Sequence, residues 1–187
     1  MSLPQTPSQT IGPFFRPSLF RSGQESLVTA ESCGERITIE GRVLDGDGAP
    51  VSDAMIELWQ ANADGRYEHP DDAQEKLLDP HFHGFGRAAT DDLGYFRFYT
   101  IKPGTIPGPG TALQAPHINV SIFARGLLKR LVTRIYFPDE PMNAADGVLN
   151  TVAPARRSTL VARLERPGVL RFDIVLQGNN ETVFFDV

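Results

Sequence analysis

Imidazole and phenolate are the donors best suited to binding a transition ion, and this chain of 187 residues has four histidines and four tyrosines to supply them. His81-Phe82-His83 is a literal H-x-H, and on spacing alone it is the best metal pair in the chain. It lies between Pro80 and Gly84 in a stretch without strand periodicity, which predicts a solvated loop. His69 stands beside Pro70 and is predicted at the surface. His117 differs, because it opens the alternating run His117-Ile118-Asn119-Val120-Ser121-Ile122-Phe123 behind Pro116. Successive side chains of a strand point to opposite faces, so His117, Asn119 and Ser121 share one face and Ile118, Val120 and Ile122 the other. Two imidazoles at this spacing would be two metal ligands. An amide is a poor ligand beside imidazole or phenolate, so the pair reads as half of a site.

Arg134 is the one charge in the apolar run Leu131 to Phe137. It has two readings: an ion pair holding strands together, or a clamp for an anionic ligand, since guanidinium matches carboxylate geometry. The sequence has no phosphate-cradling glycine loop and no Gly-x-Ser-x-Gly elbow. Cys33 sits near Glu31 and Glu35, which is no setting for a reactive thiolate.

Short strands must hold these residues. Arg36–Leu44 alternates and ends in the turn Asp45-Gly46-Asp47-Gly48. Ala54–Gln60 follows, with Ala54, Ile56 and Leu58 on one face and Met55, Glu57 and Trp59 on the other. A loop spans 61–70, an irregular polar stretch spans 71–86, and Tyr95–Ile101 alternates again. Beyond Phe137, Leu160, Val161 and Leu164 have helical spacing within 155–166, and Pro167-Gly168 ends that segment. Strands are predicted over Val169–Gln177 and Glu181–Val187, joined by a turn at 178–180. The expected fold is an all-β sandwich of about eight strands with one short helix. Residues 1–34 show no period, yet Ile11, Phe14, Phe15, Leu19 and Phe20 are too apolar for a solvated tail. We therefore expect an N-terminal arm over 1–34 that packs on another surface, and a single domain over 35–187.

At 41% hydrophobic residues the chain can bury one sizeable core. Its formal charge of −5 argues against nucleic acid or acidic lipid as a partner. One cysteine excludes an intrachain disulfide. No secretory signal and no apolar run of about 18 residues are found, so a soluble cytoplasmic protein is expected.

The runs GRVLDGDGAPVSDAMIELWQANADGRY, GFGRAATDDLGYFRFYTIKPG, APHINVSIFARG and TRIYF resemble the intradiol ring-cleaving dioxygenases. TPSQTIGPFF and LQGNNETVFFDV are similar to the α-type chains of the family's two-chain members. The resemblance implies cleavage of 3,4-dihydroxybenzoate by O₂ to 3-carboxy-cis,cis-muconate, a step of aromatic catabolism. It implies Fe(III) held by two tyrosinates and two histidines in a homologous β subunit. Carried onto this sequence, those four positions are Tyr67, Ile106, His117 and Asn119, and an arginine of the catalytic chain falls at about Gln114. With two ligands replaced, no metal and no catalytic residue are expected here. The resemblance makes the chain the iron-free partner in a hetero-oligomer of αβ units. It also places Thr10, Ile11, Gly12, Pro13, Phe14 and Arg134 near the partner's substrate pocket. Two alternatives stand: a homomeric dioxygenase with iron on Tyr67, His117 and the His81/His83 pair, and a transthyretin-like binding module without enzymatic role.

Overall fold

The computed structural model describes Thr10 and residues 18–186; Ile11, Gly12, Pro13 and Phe14 lie outside the described residues. In chain order the strands are β1 (Arg36–Leu44), β2 (Met55–Trp59), β3 (Phe85–Ala89), β4 (Tyr95–Ile101), β5 (Ile106–Pro107), β6 (Leu113–Gln114), β7 (His117–Phe123), β8 (Leu131–Tyr136), β9 (Arg163–Arg166), β10 (Val169–Arg171) and β11 (Ile174–Val175). β1 is the centre of the first sheet. It pairs antiparallel with β4 on one side and parallel with β10 and then β11 on the other, and β9 lies outside β10. The second sheet has the order β3-β2-β7-β8, antiparallel throughout.

Alternation decides what lies between the sheets. Ile37, Ile39 and Val43 of β1, with Phe96 and Phe98 of β4, meet Ile56, Leu58, Ile118, Val120, Ile122 and Ile135 of the second sheet in one core cluster. The sequence pattern puts the same residues on the inner face, so the sandwich is as expected. The outer face of the second sheet is covered in part by three short 3-10 segments, Pro141–Ala145, Leu149–Thr151 and Pro154–Leu160. Under them Ala115, Tyr136, Leu149, Val152 and Leu160 form a smaller cluster.

Three segments differ from the sequence reading. The helical segment within 155–166 is a 3-10 helix that stops at Leu160, and Arg163–Arg166 continues as β9 with Leu164 exposed. Pro167-Gly168 turns a hairpin, with Gly168 at φ 73°, and Arg166 pairs with Val169 across it. Residues 181–186 form no strand; Phe185 makes a single bridge to Val132. Residues 24–28 of the supposed arm are part of the sandwich. Leu27 enters the core, and its N–H donates to the Tyr99 carbonyl at 2.9 Å. A Cβ at Gly86 would lie 2.3 Å from Leu27 Cδ1, so β3 accepts that side chain only because it carries a glycine there. Among the described residues no helix is long and apolar enough to cross a membrane.

Candidate functional site

Register assembles the site on the outer face of the second sheet. Trp59 of β2, Asn119 of β7 and Arg134 of β8 are direct cross-strand neighbours, and so are His117 and Tyr136. Side chains in such a row lie about 5 Å apart. Tyr67 reaches the row from the loop after β2. Its ring stacks on Trp59 at 5.5 Å between centroids, and its hydroxyl accepts a hydrogen bond from Asn119 Nδ2 at 3.2 Å. That loop is held by Asn62, whose Oδ1 accepts from the N–H groups of Asp64 and Arg66 at 3.1 and 2.9 Å. Gly65, at φ 82°, lies so close to Thr105 that a Cβ would sit 1.9 Å from its carbonyl oxygen. This close approach brings the Tyr67 loop against the strand that carries Ile106.

Ile106 and Tyr67 line one cavity of about 490 Å³, with Trp59, His69 and Asp72. Ile106 pairs with Gln114, and Gln114 Oε1 accepts from Arg134 Nη1 at 2.8 Å. The same nitrogen is 3.4 Å from the Tyr136 hydroxyl. A second groove of about 520 Å³ runs along the sheet face, where Arg134 and Arg130 sit with Asn119, Ser121, Trp59 and Phe85. Tyr67, Ile106, His117, Asn119, Gln114 and Arg134 are thus brought together. Thr10 meets another place, the loop joining β7 to β8, where its hydroxyl accepts from the Gly126 N–H at 3.1 Å. His81 and His83 are exposed, and His83 Nδ1 lies 3.0 Å from Glu68 Oε2.

Two residues of the site are not singled out by the sequence, and one of them carries no recognisable signal there. Asp146 is fully buried; its Oδ1 accepts from the Tyr136 hydroxyl at 2.9 Å and the Leu149 N–H at 2.7 Å, and its Oδ2 accepts from the Ala115 N–H at 2.8 Å. It lies in a segment without period, so only the fold reveals it. Trp59 could have been noticed, because its strand puts it on the polar outer face with Glu57, an odd place for an indole unless something stacks on it.

Burial pushes the Tyr67 phenol above the usual tyrosine range, with the charge of Arg134 and the Asn119 hydrogen bond pulling the other way. Burial, reinforced by Arg134, brings His117 down to about 4. Burial likewise raises Tyr136 to about 12. All three are neutral near pH 7. His117 Nδ1 lies 2.7 Å from the Ala115 carbonyl, which fixes Nδ1 as the protonated atom, and Nε2 is buried without a hydrogen-bond partner.

These donors do not fit ferric iron. Ile106 offers hydrocarbon and Asn119 offers an amide already turned to Tyr67, which leaves one phenol and one imidazole of a four-donor set. Among the described residues no group of three or more His, Cys, Asp or Glu could hold a metal ion, the His81/His83 pair included. What the arrangement can do is present a flat aromatic wall, hydrogen-bonding amides and a cation along one groove.

The sequence profile of the dioxygenase family matches residues 12–178. The chain is 45% identical over 202 residues to the protocatechuate 3,4-dioxygenase alpha chain of Burkholderia cepacia, covering 100% of this chain and 99% of that one. It is 42% identical over 168 residues to the beta chain from the same organism, covering 85% of this chain and 72% of that one. Among solved structures, the dioxygenase domain of a dioxygenase carbohydrate-binding protein fusion from Streptomyces sp. SirexAA-E superposes with a TM-score of 0.61 at 29% identity, covering 92% of this chain and 98% of that one. None of these relatives favours a binding module without enzymatic role.

Proposed function

Since the chain belongs to the dioxygenase family, we propose that it is the iron-free α subunit of a protocatechuate 3,4-dioxygenase, working in the cytoplasm beside a homologous β subunit. The family depends on iron. In this reading Fe(III) belongs to the β subunit, where it activates the catechol ring toward O₂ as a Lewis acid and template. The substrate is 3,4-dihydroxybenzoate and the product 3-carboxy-cis,cis-muconate. The observation that carries the reading is the donor set: Ile106 and Asn119 stand where a metal centre needs a phenolate and an imidazole, in a chain that otherwise keeps the sandwich, Tyr67 and His117.

The contribution of this chain is to wall and position. The arm at Ile11, Gly12, Pro13 and Phe14, with Thr10, closes the partner's pocket and excludes water, which strengthens the charge contacts inside it. Arg134 recognises the ring carboxylate through its fork of donors. Subunits assemble as αβ units in a larger hetero-oligomer.

Co-expression with a β-type chain, followed by iron analysis and oxygen uptake with 3,4-dihydroxybenzoate, tests the assignment. The complex should hold iron and consume O₂, and the chain purified alone should do neither. Stoichiometric iron with a tyrosinate colour on the isolated chain would overturn it. In the assembled enzyme, Arg134→Ala should raise KM for the carboxylated substrate about tenfold, as loss of one charge-assisted contact does, with unchanged iron content. Equal effects on plain catechol would count against the carboxylate role.

A further inference from the structure

Two cations line the groove along the second sheet, and the strand that carries them sets their separation. Arg130 immediately precedes β8, and Val132 and Arg134 follow at alternate positions, so all three side chains face the groove. Four residues of extended chain put the Arg130 and Arg134 backbones about 13 Å apart. Arg134 leans away from Arg130: its Nη1 donates to Gln114 Oε1 at 2.8 Å and lies 3.4 Å from the hydroxyl of Tyr136, two residues further along β8. The two guanidiniums therefore do not converge on one carboxylate. Arg134 is half-buried, whereas Arg130 is exposed at the other end of the groove.

The charges around Arg130 are matched, and Arg130 is not. Lys129 pairs with Asp186 at 2.7 Å and Arg125 with Asp53. Glu57, the carboxylate lining the groove, is neutralised by Arg87, whose Nε lies 2.9 Å from Glu57 Oε1. The buried Asp146 reaches Arg134 only through the Tyr136 hydroxyl, and Asp72 lines the other cavity. Among the described residues no hydrogen bond or ion pair engages the Arg130 side chain. We propose that Arg130 is an approach cation for an anionic ring acid: it draws the molecule into the groove toward Arg134 without touching it once bound. This rests on the reading of Arg134 as the group that recognises the carboxylate of the partner's substrate. A chain of formal charge −5 repels an anion over much of its surface. Uncancelled cations between the apolar walls of Trp59, Phe85 and Phe185 concentrate the attractive field in this one groove.

Stopped-flow binding of 3,4-dihydroxybenzoate to the assembled, iron-bearing complex, without O₂, separates the two arginines. A rim charge acts on kon and its salt dependence, and a direct contact acts on koff. At low ionic strength Arg130→Gln should lower kon about two- to threefold and Arg130→Glu about five- to tenfold, the effects of removing and of reversing one charge at this range. Arg130→Lys should match the unaltered complex. Dissociation should be unchanged in all three, whereas Arg134→Ala should speed it. The differences should fade by about 0.5 M salt, where screening acts within about 4 Å, and should be missing for plain catechol, which has no carboxylate. Unchanged kon in Arg130→Glu, faster dissociation in Arg130→Gln, or an equal loss with catechol overturns the approach role. Should the variants not assemble with a β-type chain, the unaltered complex still decides: kon for the acid should fall as salt rises, and a level kon overturns the role. A complex that binds no 3,4-dihydroxybenzoate at all would sink the functional assignment and the approach role with it, a different outcome from loss of the salt effect alone.

Discussion

The two outer faces of the sandwich carry charge in opposite ways. On the first sheet Glu40, only 5% exposed, is matched from every side: the Tyr95 hydroxyl donates at 2.5 Å, Arg97 lies at 3.2 Å and Arg166 at 3.3 Å. Beside it Arg171 pairs with Asp173 at 2.7 Å. On the second sheet Glu57 is paired with Arg87, but the half-buried Arg134 has neutral partners and a buried imidazole nitrogen has none. Closed charge networks of the first kind fix strands in register, whereas an unbalanced cation beside unpaired polar atoms marks a surface kept for something other than stability. The lesson is that function on this chain is written in what is left unmatched.

That contrast can be broken by substitution, beginning with the largest effect. Asp146 anchors the site face through three hydrogen bonds, so Asp146→Ala, which strands two buried N–H groups, should cost about 3–5 kcal/mol in urea unfolding. A cost below about 1 kcal/mol would show that the 3-10 segments do not depend on it. Next comes acid sensitivity. His117 folded titrates near 4 rather than near 6.5, so between those values the unfolded chain binds more protons and stability falls as pH falls. The loss approaches about 3 kcal/mol at full extent, and His117→Gln should flatten that limb of the pH–stability curve.

On the opposite face the sign is reached differently. The Tyr95 hydrogen bond, aided by Arg166 and Arg97 against the cost of burial, holds Glu40 below its ordinary value near 4.5. Its stabilisation is therefore complete above that value and is lost as pH falls through the folded one. Tyr95→Phe should cost about 1–2 kcal/mol at pH 7 and leave oxygen uptake by the assembled enzyme unchanged; a loss of activity would show that this face too belongs to the site. Smallest of all, Arg97 is 43% exposed at its side chain, and Arg97→Ala should cost less than about 1 kcal/mol, vanishing in high salt.

How much of this could be read beforehand follows the same division. Strands with one buried face announce themselves, and β1, β4 and β7 begin and end where their alternation does. His117 beside Asn119 and the solitary Arg134 were visible for the same reason. The helical spacing of Leu160, Val161 and Leu164 misled because only Leu160 is buried; Leu164 belongs to a hairpin whose turn is the Pro167-Gly168 pair. Asp146 was invisible, since its partners come from Tyr136, Ala115 and Leu149, and long-range hydrogen bonding leaves no period in a sequence. The arm boundary at residue 34 missed Leu27 because one buried leucine in a polar stretch gives no pattern to measure.

β1 lies between β4 on one edge and β10 and β11, near the end of the chain, on the other. During synthesis one edge of β1 therefore waits, unpaired, until β10 and β11, more than 120 residues later, have left the ribosome. Closing so long a loop is slow, and an open strand edge in the interval invites pairing with a neighbouring nascent chain. Removing residues 169–187, and with them both β10 and β11, should accordingly harm yield in the cell far more than their small share of the mass suggests.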